Sequence, residues 1–483
     1  MHRPNIVLIL TDNQQASTLG CYGNSEIHTP NLDRLASQGM RFDRAFCPNA
    51  FCSPCRASVL TGLLPSQHGV HSWIDDRRMQ DWPTGWHALA AHRTLPEILA
   101  ENGYRTGLFG KYHLGETATP GPGWHEWVTM EHGHVRSFYQ NNITDNGKHF
   151  EHTGHSVDFF CERAAQFMRS AKEPFFAYVP LPAPYGHWPA TNSGQRNRFS
   201  AMYDDCPINT IPRTAISDAA VSNYDRVKSQ SGGGLDFSML MRAPNHLPTY
   251  RDYYSQISLI DDALAQVIDA ADDQGDTLVL FSADHGLSMG QHGFWGHGAS
   301  TWPSNLHFAA HSIPLIARHT DHIDTGQSCG HYVSNLDLFS TVLDYVNIDH
   351  PDDTPSRSLV PLLRGEDLPA SWGEDETFAE QEETRVLRTG NWVYFRRFKG
   401  ADVPVGDEMF NTKEDPHETI NLISNPEFNQ TATQLAARID AYFDQYATPE
   451  ADLWKGGRPI QKTMVPSLWQ DAWGSEWSPV FHY

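Results

Sequence analysis

The chain opens with the apolar run NIVLIL, stopped by Thr11-Asp12, and the same punctuation returns where DTLVLFS runs into Ala283-Asp284-His285. Short apolar runs that end in polar turns are the mark of strands buried on both faces. Between them the period lengthens. TPNLDRLASQG carries apolar residues at helical spacing, with Thr29 or Asn31 as a start and Gly39 as a stop. TLPEILAENG predicts a second helix ending at Gly103, and YYSQISLIDDALAQVIDAADDQG a long amphipathic helix closed by Gly275. YRTGLFGK and EPFFAYVPL supply further strands. This alternation predicts an α/β fold with a large, mostly parallel central sheet flanked by helices, its site at the carboxyl ends of the strands.

After about residue 375 the texture changes. TRVLRTGNWVYFRRFKG alternates as antiparallel strands do, and FNTKEDPHETINLIS is polar and rich in turns. The division expected is an N-terminal α/β domain over 1–375 and a smaller C-terminal α+β subdomain over 376–483 containing an antiparallel sheet. Residues 185–250, rich in Asn, Pro, Ser and Gly, read as a variable insertion, with QSGGG at 230–234 as a flexible linker.

Charge narrows the partners. With 35 basic against 58 acidic side chains the formal charge is -23, which disfavours nucleic acid and requires any anionic substrate to find a locally positive pocket. NIVLIL is too short for a membrane span or the apolar part of a signal peptide, so the chain reads as cytoplasmic as it stands, and as periplasmic or secreted if a signal has been removed. Seven cysteines, an odd number in a long chain, argue against a disulfide framework and for at least one free thiol.

The stretch FCSPCRASVLTG, residues 51–62, raises the chemical question. Its Cys52-x-x-Cys55 pair admits a redox reading, but a thioredoxin-like domain is far shorter, and a structural zinc site lacks a second ligand pair. Local geometry favours another role. Ser53 can cap a helix, Pro54 suits its first position, and Gly62 ends it. Cys52 then sits just before a positive helix end with Arg56 one turn on, an arrangement suited to an anion. Asp12 and Asp284 each end a predicted strand, so parallel packing would bring two carboxylates to one edge, where they hold a cation or act as ordinary caps.

These residues carry a resemblance. CSPCRASVLTG resembles the signature of the type I, formylglycine-dependent sulfatases of the alkaline phosphatase-like superfamily, and the likeness runs in order from PNIVLILTD to NTKEDPHETINL. The resemblance implies that Cys52 is converted to formylglycine by a formylglycine-generating enzyme, and that Cys55 is a spectator. It implies one divalent cation, most often Ca2+ with Mg2+ or Mn2+ open, held by Asp12, Asn13, Asp284, His285 and the modified Cys52. Asn13 stands where a second aspartate is commoner. FGKYHLG resembles the segment that places Lys111 and His113 beside the nucleophile, at period two on one strand face. PAPYGHWPA resembles the segment that supplies an acid for the leaving oxygen, here His187 or Tyr185. In QHGFWGHGAS, His297 stands where a sulfate-binding lysine is usual, while His68 and His292, each in a QHG, read as loop residues or as supports behind the site. Arg56, Lys111, His187 and His297 are thus the implied sulfate contacts. The implied activity is hydrolysis of sulfate monoesters of a small molecule or saccharide, a sulfated carbohydrate being favoured. The rivals are a phosphonate monoester or phosphodiester hydrolase of the same superfamily and a binding protein with unmodified Cys52.

Overall fold

In the computed structural model, residues 3–186, 194–212, 214–223, 246–351, 354–400 and 406–480 are described. The strands in chain order are β1 (Asn5–Asp12), β2 (Met40–Phe46), β3 (Arg105–Gly110), β4 (Glu126–Met130), β5 (Asn141–Asp145), β6 (Lys148–His152), β7 (Phe175–Pro184), β8 (Thr277–Ala283), β9 (Ser288–Met289), β10 (Trp295–Gly296), β11 (Leu315–Arg318) and β12 (Gln327–Ser334). Ten of them form one sheet in the order β12-β2-β11-β8-β1-β7-β3-β4-β5-β6, leaving β9 and β10 as a small separate ribbon. The centre, from β8 through β1, β7 and β3 to β4, is parallel, whereas β11, β5 and β6 run against their neighbours. The fold is the expected α/β one, with antiparallel pairs toward the sheet's margins.

The continuous apolar character of the central strands has a direct cause. Successive side chains of a strand point to opposite faces, and here both faces are covered. Ile6, Leu8 and Leu10 of β1 join one core with Phe176, Tyr178, Leu278 and Leu280, while Val7 and Ile9 join the other with Val179, Val279 and Phe281. The helices Ser156–Ser170 and Leu247–Gln274 cover the second face. The long helix starts at Leu247, earlier than the expected Tyr253 and inside the stretch read as insertion. Pro248 did not prevent this, because the first turn of a helix has no use for that N–H. No helix among the described residues is long and apolar enough to cross a membrane.

A separate four-stranded antiparallel sheet follows, with β13 (Glu376–Gln381), β14 (Thr384–Thr389), β15 (Trp392–Arg397) and β16 (Glu408–Asn411) in sequential order. The helix Asn429–Tyr446 lays Leu435, Ile439 and Phe443 over Phe378, Leu387, Tyr394 and Met409 of that sheet. Its first strand also braces the segment before Cys52. Asn49 donates from its amide to the carbonyl of Glu380 at 2.8 Å and accepts the backbone N–H of Phe51 at 2.8 Å. All seven cysteines are free thiols, as expected for a chain without a disulfide framework.

Candidate active site

Parallel pairing of β1 with β8 aligns Thr11 with Ala283, so the next residues, Asp12 and Asp284, leave the sheet side by side. The Asp284 N–H donates to Thr11 O at 2.9 Å, and the Asn13 N–H donates to the Asp284 carboxylate at 3.1 Å. Asn13 takes a left-handed backbone conformation, φ 62°, at this turn, a geometry that asparagine tolerates better than most residues. Both carboxylates are fully buried.

The helix Cys52–Thr61 points its amino end at this edge, and every residue in it is buried. It begins differently from the expectation. Cys52 is its first residue, Phe51 takes the N-cap position with no side-chain cap, and the first helical bond runs from Cys55 N to Phe51 O. Pro54 therefore falls at the third position, where its missing N–H still costs nothing. Ser53 is left free to stitch. Its hydroxyl donates to His113 O at 2.9 Å and accepts Ile74 N–H at 3.0 Å. The helix stops at Gly62, φ 70°, as expected.

Cys52 Sγ lies 3.6 Å from Asp12 Oδ1 and 3.4 Å from His285 Nε2. Arg56 reaches back one turn, its Nη2 bonding Asp12 Oδ2 at 3.0 Å and Asp284 Oδ2 at 2.8 Å, its Nη1 bonding Lys111 O at 3.0 Å. Lys111 Nζ bonds Asp12 Oδ2 at 2.6 Å and sits 4.9 Å above the Tyr185 ring. Two buried anions thus face two buried cations. Burial opposes ionisation of Asp12, yet Lys111 and Arg56 bring its pKa down to about 2. Burial likewise opposes the charge on Lys111, but Asp12 holds its pKa above the ordinary value. The Cys52 thiol is pushed up by burial and then by Asp12, so the encoded side chain is a neutral thiol.

Asp12, Cys52, Asp284 and His285 place one donor atom each within 4.8 Å of one another. Their state fits a cation. His285 Nδ1 donates to Gly286 O at 2.9 Å, which leaves the Nε2 lone pair facing Cys52. Asn13 is fully buried with neither side-chain amide atom hydrogen-bonded, a costly state that a coordinated ion would relieve.

Lys111 and His113 do not share a strand face. β3 ends at Gly110, whose φ of 147° only glycine accepts readily and whose added Cβ would lie 2.0 Å from Pro180 O. The chain bends there, and His113 follows at φ 56°. Its Nε2 donates to Ile74 O at 2.9 Å, while Nδ1 is buried without a hydrogen bond. Burial, then Lys111, holds its pKa well below the usual histidine range, so the imidazole is neutral. His297 is half-buried, edge-on to His285 at 4.9 Å and to Phe51 at 5.3 Å. His187 lies outside the described residues. His68 and His292 sit elsewhere, the first with Ser58 and the second against Phe294 and His307.

Several supporting groups had no signal in the sequence. Asn335, just after β12, donates to Ala283 O at 2.9 Å and Asp284 O at 3.1 Å. Cys55, read as a spectator of the chemistry, has a supporting contact, since its thiol donates to the same Asp284 carbonyl. Asp76 bonds His134 Nδ1 at 3.1 Å, and the His134 ring packs edge-on against His113 at 4.9 Å.

A buried anion-and-cation cluster at the carboxyl edge of an α/β sheet, fronted by a helix amino end, defines a hydrolase-type site for a tetrahedral anion. The sulfatase family model matches residues 4–348, and a model of the C-terminal region of N-sulphoglucosamine sulphohydrolase matches 304–445. The chain belongs to the sulfatase family. An N-acetylglucosamine-6-O-sulfatase of Bacteroides thetaiotaomicron is 24% identical, the alignment covering 95% of this chain and 90% of the relative. A structure solved with its substrate D-glucosamine-2-N,6-O-disulfate matches with TM-score 0.72 at 21% identity, over 92% of this chain and 98% of that one. The phosphonate monoester hydrolase of Agrobacterium radiobacter has the same fold, with TM-score 0.67 at 18% identity over 92% and 96% of the two chains.

Proposed function

We propose that this chain hydrolyses sulfate monoesters of a carbohydrate, using formylglycine made from Cys52 and one divalent cation, most suitably Ca2+. The observation that carries the reading is the meeting of Cys52 with Asp12, Asp284 and His285 at one point, with Arg56 and Lys111 against the same carboxylates. Asp12, Asn13, Asp284 and His285, with the modified residue 52, would hold the ion. Bound there, the ion would neutralise charge on the sulfuryl oxygens as the ester bond breaks. Because the protein's own buried charges already balance, a dication leaves the pocket net positive, which suits an anionic ester despite the acidic surface.

Once formed and hydrated, formylglycine at residue 52 would supply one hydroxyl to displace the alcohol from sulfur, and a second whose loss of a proton would release sulfate and restore the aldehyde. Lys111 offers a fixed charge to a sulfuryl oxygen, and Arg56 orients both carboxylates through its Nη2 while Nη1 holds the Lys111 carbonyl. His113 is suited to take the proton of the second hydroxyl, since its Nδ1 is neutral, buried and without a bond of its own. His187 and His297 are assigned to the leaving oxygen and the sulfate, His297 beside His285. Sulfated glucosamine is the first substrate class to assay, since one relative is an N-acetylglucosamine-6-O-sulfatase and one similar structure holds a glucosamine disulfate.

Mass spectrometry of the peptide containing Cys52, from protein made with a formylglycine-generating enzyme, tests the first step. Aldehyde in place of thiol, together with release of sulfate from glucosamine 6-sulfate, is expected. Active protein carrying only thiol at residue 52 refutes the mechanism. A second reading, phosphonate monoester hydrolysis, is favoured by one feature, the neutral Asn13 beside Asp12. Turnover of matched aryl sulfate and aryl phosphonate esters decides between them.

A further inference from the structure

At the opposite ends of the strands a second group of donor atoms converges. Asp276 precedes β8, and His319 and His322 follow β11, which pairs antiparallel with β8. Eight strand-like positions separate Asp276 from Asp284, roughly 25 Å at the usual rise, so this cluster and the catalytic one stand at different edges of the sheet. One ligand atom from each of the three residues lies within 4.8 Å of the others.

We propose that Asp276, His319 and His322 form a second metal site, for a transition ion of the zinc class. Three observations carry it. The donor set, two imidazoles and one carboxylate, is that of zinc and its neighbours rather than of calcium or magnesium, which favour oxygen. The two histidines are held together, because the turn closed by His322 N and Ile323 N on His319 O brings the rings to 4.3 Å between centroids. His319 is fully buried and its other ring nitrogen, Nδ1, is bonded to the Tyr345 hydroxyl at 2.8 Å, the supporting contact that ligating histidines keep.

The Asp276 carboxylate accepts from His319 Nε2 at 2.9 Å, and in the neutral imidazole Nδ1 then accepts from Tyr345. Ion uptake puts the proton on Nδ1 and leaves the Nε2 lone pair to the metal. The tyrosine hydroxyl serves either tautomer, since it both donates and accepts. Asp276 and His322 are exposed, which gives an ion a path in. The bound ion would clamp the start of β8 to the end of β11, beside the Arg318–Asp272 ion pair.

Calorimetric titration of the full chain, first saturated with Ca2+, with Zn2+ alone tests the site on the wild type, His322→Ala and Asp276→Asn. Both substitutions fall on exposed side chains, and Asp276→Asn keeps an oxygen to accept from His319 Nε2, so the fold should be retained. One Zn2+ taken up beyond the catalytic ion, weakened at least about tenfold in each variant, is expected. Slower hydrogen exchange around residues 271–277 and 318–323 should accompany it in the wild type alone. No uptake beyond the catalytic ion overturns the proposal. So does zinc binding equally to all three proteins, which would mean displacement at the catalytic site.

Discussion

Arg56→Ala is the most informative perturbation of the buried charge cluster. The guanidinium is fully buried and makes three bonds, to Asp12 Oδ2, Asp284 Oδ2 and Lys111 O. Removing it leaves two carboxylates in a dry interior with Lys111 as the cation bonded to Asp12. Loss of one partner from a buried pair costs ~3–5 kcal/mol, because the charge left behind is uncompensated. Arg56→Lys keeps the charge but loses the fork, and should cost ~1.5–3 kcal/mol, the worth of one hydrogen bond to a charged group. The assay is urea unfolding followed by tryptophan fluorescence at neutral pH, once with a chelator and once with saturating Ca2+. Calcium should recover part of the loss in both variants, since it neutralises the same carboxylates. The acid limb gives a second readout. Asp12 has a folded pKa of about 2 against an ordinary 3.8, so its ionised form contributes ~2 kcal/mol above pH 4 that is lost as the pH falls toward 2. In Arg56→Ala that loss should begin at higher pH. A chelated Arg56→Ala protein destabilised by less than ~1 kcal/mol, with an unmoved acid limb, would show that the cluster is not the buried network described.

Three further outcomes follow from the site. His113→Ala should slow sulfate release more than sulfate transfer, so that intact-mass spectrometry during turnover finds sulfate covalently attached to residue 52; a variant with no accumulated adduct and normal turnover contradicts the role given to Nδ1. Asn335→Ala removes two bonds to the Ala283 and Asp284 carbonyls and should lower stability by ~1–3 kcal/mol and calcium affinity by ~10–100-fold, both measurable by calcium titration and urea unfolding. Asn13→Asp adds a charged ligand and should tighten calcium binding, measured by competition with a fluorescent chelator; weaker binding would mean that Asn13 does not face the ion.

Much of the architecture was legible because it rests on local periodicity. The runs that became β1, β7 and β8 were recognisable as strands buried on both faces, and the helices ending at Gly62 and Gly275 were marked by their stop residues. Two misplacements have one cause. The start of the helix at Cys52 and the bend after Gly110 are both settled by distant partners, Asn49 held by Glu380 in the first case and the Pro180 carbonyl in the second. A capping preference of about 1 kcal/mol yields readily to such contacts.

The same distinction runs through the active site. The linear chain determined which chemistry was at hand: a cysteine close to a proline-marked helix start, an arginine one turn later, and aspartates ending two apolar runs. Those are properties of neighbours a few bonds apart, and short-range geometry transmits them faithfully. What the tertiary structure decided was partnership. Parallel pairing of β1 with β8 set Asp12 beside Asp284, the turn at Gly110 delivered Lys111 to the former, and Asn335 and Cys55, 280 positions apart, came together to hold the backbone of the latter. No periodicity encodes such meetings, because side-chain contacts between distant segments depend on how whole layers pack and not on any local pattern of residues.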